Sequence, residues 1–301
     1  MSESPTGQVF DLGFRRYEGQ REGRRRSTLA VYKDGLRTAM GLGRGGKAKI
    51  LPWVFVSASM IPALIFALIA GAVDRVAPDF SEELDLPSHA DYYAIAGIIL
   101  FLFAAMVGPE LFCPDRSNRT INLYLVRPLR PTDYAAARWA SLVTIMTVVA
   151  WIPQLILLLG LTLGAPKPGT YLADHWTDIP RFLLAGIVIA VYVSTITSLA
   201  AALAKRRAYA AAFLVGLFIL TAAVVGVGSV GAALSDDTTK WIALLSVGDV
   251  PLYVNDLIFG EQTSNAAEAS ELPGVILVGW FLIVVVAAGA LVLRRYRKLT
   301  L

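Results

Sequence analysis

The 301-residue sequence has one cysteine and two histidines. Cys113 alone excludes an internal disulfide. His89 and His175 are far apart in the chain, fall in predicted connections, and have no second cysteine beside them. They match no spacing of a metal site. Charge is scarce too, at 17% of residues against roughly a quarter in soluble domains. The longest apolar runs hold no Asp, Glu, Lys, Arg or His at their centres, so the usual mark of a proton or ion relay is missing. No Ser–His pair or paired aspartates lie within these runs, which argues against an intramembrane protease.

What the sequence does have is apolar length. Hydrophobic residues make up 56% of the chain and the mean hydropathy is +0.60. They fall in six blocks: Ile50–Val73, Tyr92–Phe112, Ala135–Ala165, Ile179–Ala204, Tyr209–Leu234 and Pro273–Leu293. Each is long enough for a helix to cross the hydrocarbon layer, which takes about 20 residues. The ten-residue alternation of a membrane barrel is absent. The expected fold class is all-α: a polytopic membrane protein with six transmembrane helices. The first block begins after 49 residues and exceeds the core of a cleavable signal, so the N-terminus is expected to stay attached.

The basic residues orient the chain. Of 27 Lys and Arg residues, only Arg75, Lys167, Arg181 and Lys240 fall in the first, third and fifth connections. The rest lie in the N-terminal arm, the second and fourth connections and the tail. The positive-inside rule then predicts that both termini are cytosolic. The acidic first connection and the long fifth one, Ser235–Leu272, are expected outside. The apolar middle of the fifth, "WIALLSVGDVPLYVNDLIF", should lie against the membrane or dip into it. Lipid headgroups explain the arginine-rich arm better than nucleic acid does, because the arm adjoins a span. Within residues 1–49, Leu29, Tyr32, Leu36, Ala39 and Met40 recur at helical spacing, with Lys33, Asp34 and Arg37 opposite. This predicts an interfacial helix, capped by Ser27 at its start and Gly41 at its end. Residues 50–301 form the six-span domain.

The stretch "GLGRGGKAK", Gly41–Lys49, nearly spells a phosphate-binding loop, but Ala48 stands where Ser or Thr should hold magnesium. A phosphate loop also follows a strand, whereas this stretch leads from one predicted helix into a span. It is expected to be a flexible, basic elbow. Small residues fill the fifth block, including Gly216, Gly226, Gly228 and Gly231, and permit close helix approach.

The most informative segment is "GPELFCPDRSNRTINLYLVRPLRPTDYAAARW", Gly108–Trp139. A merely solvated loop needs neither apolar Ile121, Leu123 and Leu125 nor the stiff Arg127-Pro128 and Arg130-Pro131 pairs. The segment resembles the second cytosolic connection of ABC-2-type transporter permeases. The likeness runs through Glu110, Asp115, Arg116, Thr120, Leu123, Tyr124, Leu125, Arg127, Pro128, Leu129 and Tyr134. The basic residue before the third span, Lys in many members, is Arg138 here. "GFRRYEG", Gly13–Gly19, also looks like the arm of some members.

The resemblance implies a permease subunit of an ATP-driven exporter for a hydrophobic or amphipathic substrate such as a drug, lipid or peptide. It implies a separate ABC ATPase subunit carrying ATP and Mg, a homo- or heteromeric permease dimer, and no cofactor, metal or catalytic residue on this chain. The residues it marks for coupling to the ATPase are Glu110, Asp115, Arg116, Arg119, Thr120, Tyr124, Arg127, Pro128 and Tyr134. The excess of Arg over Lys, 20 to 7, and the Ala-rich spans fit a GC-rich bacterium and its inner membrane. The alternative is a membrane scaffold that transports nothing and recruits a cytosolic partner through the same segment.

Overall fold

The structure, a computed structural model, describes residues 23–43, 45–76, 88–118, 120–125, 129–230, 236–261 and 272–298. Among these residues every regular element is a helix. Six helices are long and apolar enough to cross a membrane: α2 (Lys47–Val76), α3 (His89–Ser117), α5 (Pro131–Gly164), α7 (Asp178–Leu203), α8 (Arg207–Val230) and α11 (Gly274–Arg297). The others are α1 (Arg24–Ala39), α4 (Ile121–Leu125), α6 (Pro168–Asp174), α9 (Asp236–Ala243) and α10 (Val250–Phe259).

The predicted boundaries move at several points. Helix α3 begins at His89 rather than Tyr92, because Ser88 caps it and Asp91 reciprocates. It then runs past Phe112 to Ser117, carrying Pro109 and Pro114 inside it. Helix α5 starts four residues earlier than Ala135, at Pro131, a residue whose fixed φ suits the first helical position. Helix α1 starts at Arg24 after Gly23, so Ser27 is not its cap but lies in its first turn.

Burial separates a trunk from a periphery. Helices α3 and α7 have 61% and 67% of their most apolar window buried, whereas α8 has 11% and α11 22%. Helix α7 sits at the centre, packed against α3, α5, α8, α10 and α11. It buries Ser194, Thr195, Thr197 and Ser198 as well as its alanines. Helices α2 and α1 flank α5. The fifth connection does not lie apart from the bundle: α10 packs on α7, α11 and α3, and Trp280 Nε1 donates to the Leu244 carbonyl at 2.8 Å.

Each end of the bundle gathers its own connections. At one end Ser88 Oγ donates to Glu261 and Asn255 Nδ2 to the Ala90 carbonyl, which ties the first connection to the fifth. His89 is buried there rather than in a loop, stacked on Phe182, with Nδ1 2.5 Å from Gln154 Oε1. His175 stacks on Tyr171 instead. At the other end stand α1, the 110–138 segment, Lys205–Arg207 and the foot of α11, bound to one another as described below.

Helix α1 docks along the start of α5 through a stripe of Val31, Gly35 and Ala39. Leu29, expected on the apolar face, is exposed. Ser141 Oγ donates to the Tyr32 carbonyl at 2.9 Å, and the Tyr32 and Thr144 hydroxyls lie 3.0 Å apart. The approach is close enough that a Cβ on Gly35 would fall 2.3 Å from Ser141 Oγ and 2.7 Å from its Cβ. Gly35→Val should therefore lower stability by about 1–3 kcal/mol through overpacking. Gly279→Val, where nothing lies within 4 Å, should stay within about 0.5 kcal/mol. Thermal unfolding of the two purified variants in one detergent checks the contrast.

Candidate functional site

The 110–138 segment folds around one carboxylate. Asp115, in the last turn of α3 just after Pro114, faces α5. Asp115 Oδ2 accepts from the Tyr134 hydroxyl at 2.6 Å and from Arg138 Nη2 at 2.9 Å. Oδ1 accepts from Thr120 Oγ1 at 3.1 Å. Tyr134 and Arg138 are one helical turn apart on α5, which is why both reach the same carboxylate.

Arg138 is the hub of the cluster, with 3% of its side chain exposed. Its Nη1 lies 2.9 Å from Asp34 Oδ2 of α1, an ion pair whose alignment falls short of a hydrogen bond. Its guanidinium also lies 5.5 Å from the Tyr134 ring centre, within cation–π range. Tyr134 is flanked by Tyr124 of α4 at 5.6 Å and Tyr296 of α11 at 5.8 Å. Arg138 and Asp115 thus join α1, α3 and α5, and the Tyr134 ring extends the cluster to α4 and α11. Burial, and after it the nearby Asp115 carboxylate, push the Tyr124 phenol up from its ordinary value, so Tyr124 stays neutral.

Three further links brace the same end. Arg116 Nη1 donates to the carbonyls of Ala201 and Ala204 at 3.2 Å, and to that of Ala202, at the C-terminus of α7. Those carbonyls have no partner within their own helix, and the cation also suits the negative end of the dipole. Glu110 pairs with Arg207 of α8 at 2.6 Å. Arg24 of α1 grips Asp133 with Nε and Nη2, both at 2.6 Å, which holds the Arg24 guanidinium above its ordinary pKa.

Of the residues marked from sequence, Asp115, Thr120, Tyr124 and Tyr134 come together. Glu110 and Arg116 serve separate links to α8 and α7. Arg119, Arg127 and Pro128 lie outside the described residues, as does the side chain of Leu125. Sequence reasoning missed the weight of Arg138 and the part played by Asp34, Asp133 and Tyr296. The signal for Arg138 was an arginine inside an apolar block, where a charge needs a partner. Asp34 and Tyr296 gave no such signal.

"GLGRGGKAK" joins α1 to α2, helix to helix, with no strand before it. Gly41 has φ +65° and Gly43 φ +80°, and a Cβ on Gly41 would lie 2.4 Å from the Ala48 carbonyl oxygen. Arg44 lies outside the described residues. Among the described residues no three His, Cys, Asp or Glu side chains gather where they could hold a metal ion.

No protein-family model matches this chain, and no curated protein matches it.

The cluster makes a graded prediction. Arg138→Met removes a buried guanidinium and leaves Asp115, 17% exposed, without its cation, and should cost about 2–4 kcal/mol, somewhat less than breaking a fully buried pair. Asp34 is half-exposed, with 53% of its side chain accessible, so Asp34→Asn should cost no more than about 1 kcal/mol. The double variant Asp115→Asn/Arg138→Met removes both charges and should be more stable than Arg138→Met alone. Thermal midpoints of the three variants in detergent measure the order.

Proposed function

We propose that this chain is the membrane-spanning permease subunit of an ATP-driven exporter of the ABC-2 type. In this reading both termini and the second and fourth connections face the cytosol, and α1 lies on the inner leaflet. A separate ABC ATPase supplies the ATP and Mg²⁺ chemistry, and two permeases pair to enclose the pathway. The cargo is hydrophobic or amphipathic, in keeping with apolar spans whose centres carry no ionisable residue. The membrane is the inner membrane of a bacterium.

The observation that carries the proposal is how α4 is held. Its root is gripped on two sides, by Thr120 on Asp115 and by Tyr124 against Tyr134. Its outer face presents Leu123, 71% exposed. In this reading the exposed leucine on a short, firmly held helix is the knob, the contact point offered to the partner. A push on that knob passes through Asp115 and Arg138 into α3, α5 and α1 together. A coupling element needs this combination of an exposed contact and a stiff root. In this reading the energy comes from the partner ATPase.

A scaffold would use the same knob to bind a partner without turnover, and one experiment separates the two. The chain is co-expressed with a candidate ABC ATPase from the same genome, purified as the complex and placed in lipid. ATPase activity stimulated by transported substrate supports the permease, and capture without any such coupling supports the scaffold. Leu123→Asp, which would bury an unpaired carboxylate in that contact, should weaken the complex at least about tenfold, while the thermal midpoint of the isolated chain stays unchanged. An unchanged complex would remove α4 from the coupling role.

Orientation has its own check. In a Cys113→Ala background, Ser264→Cys in the fifth connection should react with an impermeant thiol reagent outside intact cells. Ser117→Cys, at the end of α3, should stay silent. Labelling at Ser117 would reverse the topology.

A further inference from the structure

An open cavity of about 370 Å³ lies between the end of α1 and helices α2, α3 and α8 at the basic end of the bundle. Its lining has two zones. Lys47 and Arg207, the first residues of α2 and α8, stand at one side with Glu110. Leu51 of α2, Met106 of α3 and Ala211 of α8 wall the rest. Glu110 is the one acid in this lining, and it already binds Arg207 at 2.6 Å. Lys47 has no acidic partner among the described residues. Lys49, Lys205 and Arg206 add positive charge next to it in the chain.

We infer that this cavity holds one anionic phospholipid of the adjoining leaflet. Its phosphate sits between Lys47 and Arg207, and the first part of an acyl chain lies along Leu51, Met106 and Ala211.

Three observations select this occupant. The cavity falls at the low end of the roughly 300–1,000 Å³ typical of small-molecule sites, so it takes a headgroup and part of a chain but not a whole lipid. The remainder of the chain has somewhere to go, because Leu51, Met106 and, one turn further along α2, Val54 are all exposed apolar residues that run on along the spans. The position also fits, since Lys47 and Arg207 begin two of the membrane-crossing helices and therefore stand at headgroup depth. Charge complementarity then chooses the head. Glu110 is already neutralised by Arg207, so Lys47 leaves the lining net positive, which favours a headgroup without an ammonium of its own over a zwitterionic one. A free phosphate would leave the apolar wall uncovered. The inference concerns a resident lipid and does not rest on the transport proposal.

The test uses the full chain purified in mild detergent. Palmitoyl-oleoyl phosphatidylglycerol, the matching phosphatidylcholine and glycerol phosphate are added separately. Bound lipid is counted by native mass spectrometry, and stabilisation is followed by thermal unfolding. Phosphatidylglycerol should be retained and should stabilise, while glycerol phosphate should do neither. Lys47→Gln should cut the preference for phosphatidylglycerol over phosphatidylcholine by about fivefold, the equivalent of one basic contact near a charged headgroup. Ala211→Phe should reduce retention of both lipids by filling the apolar zone. Ala208→Phe, at an exposed position in the same lining, repeats that arm should Ala211→Phe fold poorly. Arg295→Gln, on the exposed foot of α11, should change nothing.

Equal binding of the two lipids by the unaltered chain would overturn the inference. So would an unchanged preference in Lys47→Gln, or glycerol phosphate stabilising as well as the lipid. A loss in Arg295→Gln equal to that in Lys47→Gln would show diffuse surface charge instead of a site.

Discussion

A guanidinium buried at the foot of a membrane helix has to be answered, and the answer organises this end of the molecule. Arg138 has 3% of its side chain exposed, and an uncompensated charge there would cost several kcal/mol. The two carboxylates that answer it come from different helices, Asp115 from α3 and Asp34 from α1. Asp115 makes the hydrogen-bonded pair that ties α3 to α5, and the half-exposed Asp34 adds a weaker link to α1. Tyr134 completes the arrangement, because its hydroxyl takes the Asp115 oxygen and its ring takes the face of the cation. Once Asp115 is fixed, Thr120 and Tyr124 hang α4 from it.

The six spans were legible in the sequence because lipid imposes a simple condition, a run of some 20 apolar residues, that a local window can read. The gathering of connections at two ends was legible for a related reason, since alternate crossings must return to the same side. The special character of Gly108–Trp139 also showed, through its proline pairs and through apolar residues set among charges. Pairing was harder to see. Asp34 looked like part of a solvated face, and only the docking of α1 on α5 makes it a partner of Arg138. That docking depends on Gly35, a residue with no side chain to contribute to any periodic signal. The buried stripe of α1 is accordingly Val31, Gly35 and Ala39, and the larger Leu29 is left outside. His89 was misread for a different, local reason: the Ser88–Asp91 capping box that starts α3 before the apolar block went unread, while its contact with Gln154 of another helix left no local signal. Contacts between helices distant in sequence leave no trace in hydrophobic periodicity.

The trunk and the periphery differ in composition as well as burial. Helix α7 is fully enclosed at Ser194, Thr197 and Ser198, where small hydroxyl side chains allow near approach by its neighbours. Helices α2, α8 and α11 instead turn large apolar side chains outward, among them Leu68, Leu220 and Val286. The protein therefore has a core that is polar in places and an outer surface that is oily, the reverse of a water-soluble fold. Lipid takes the place of the interior as the apolar phase, and the packed centre carries side-chain hydrogen bonds such as Trp139 to Thr195 and Gln154 to the His89 carbonyl.

Arg116 has a mechanical consequence. One side chain of α3 holds three carbonyls in the last turn of α7. Sliding α7 along its axis by a single residue, about 1.5 Å, would pull all three away from the guanidinium at once. The contact acts as a pin, permitting tilt and resisting stroke. Helices α3 and α7 must then travel as one piston, and any relative motion within the bundle is pushed outward to the seams around α8 and α11, where the least surface is engaged.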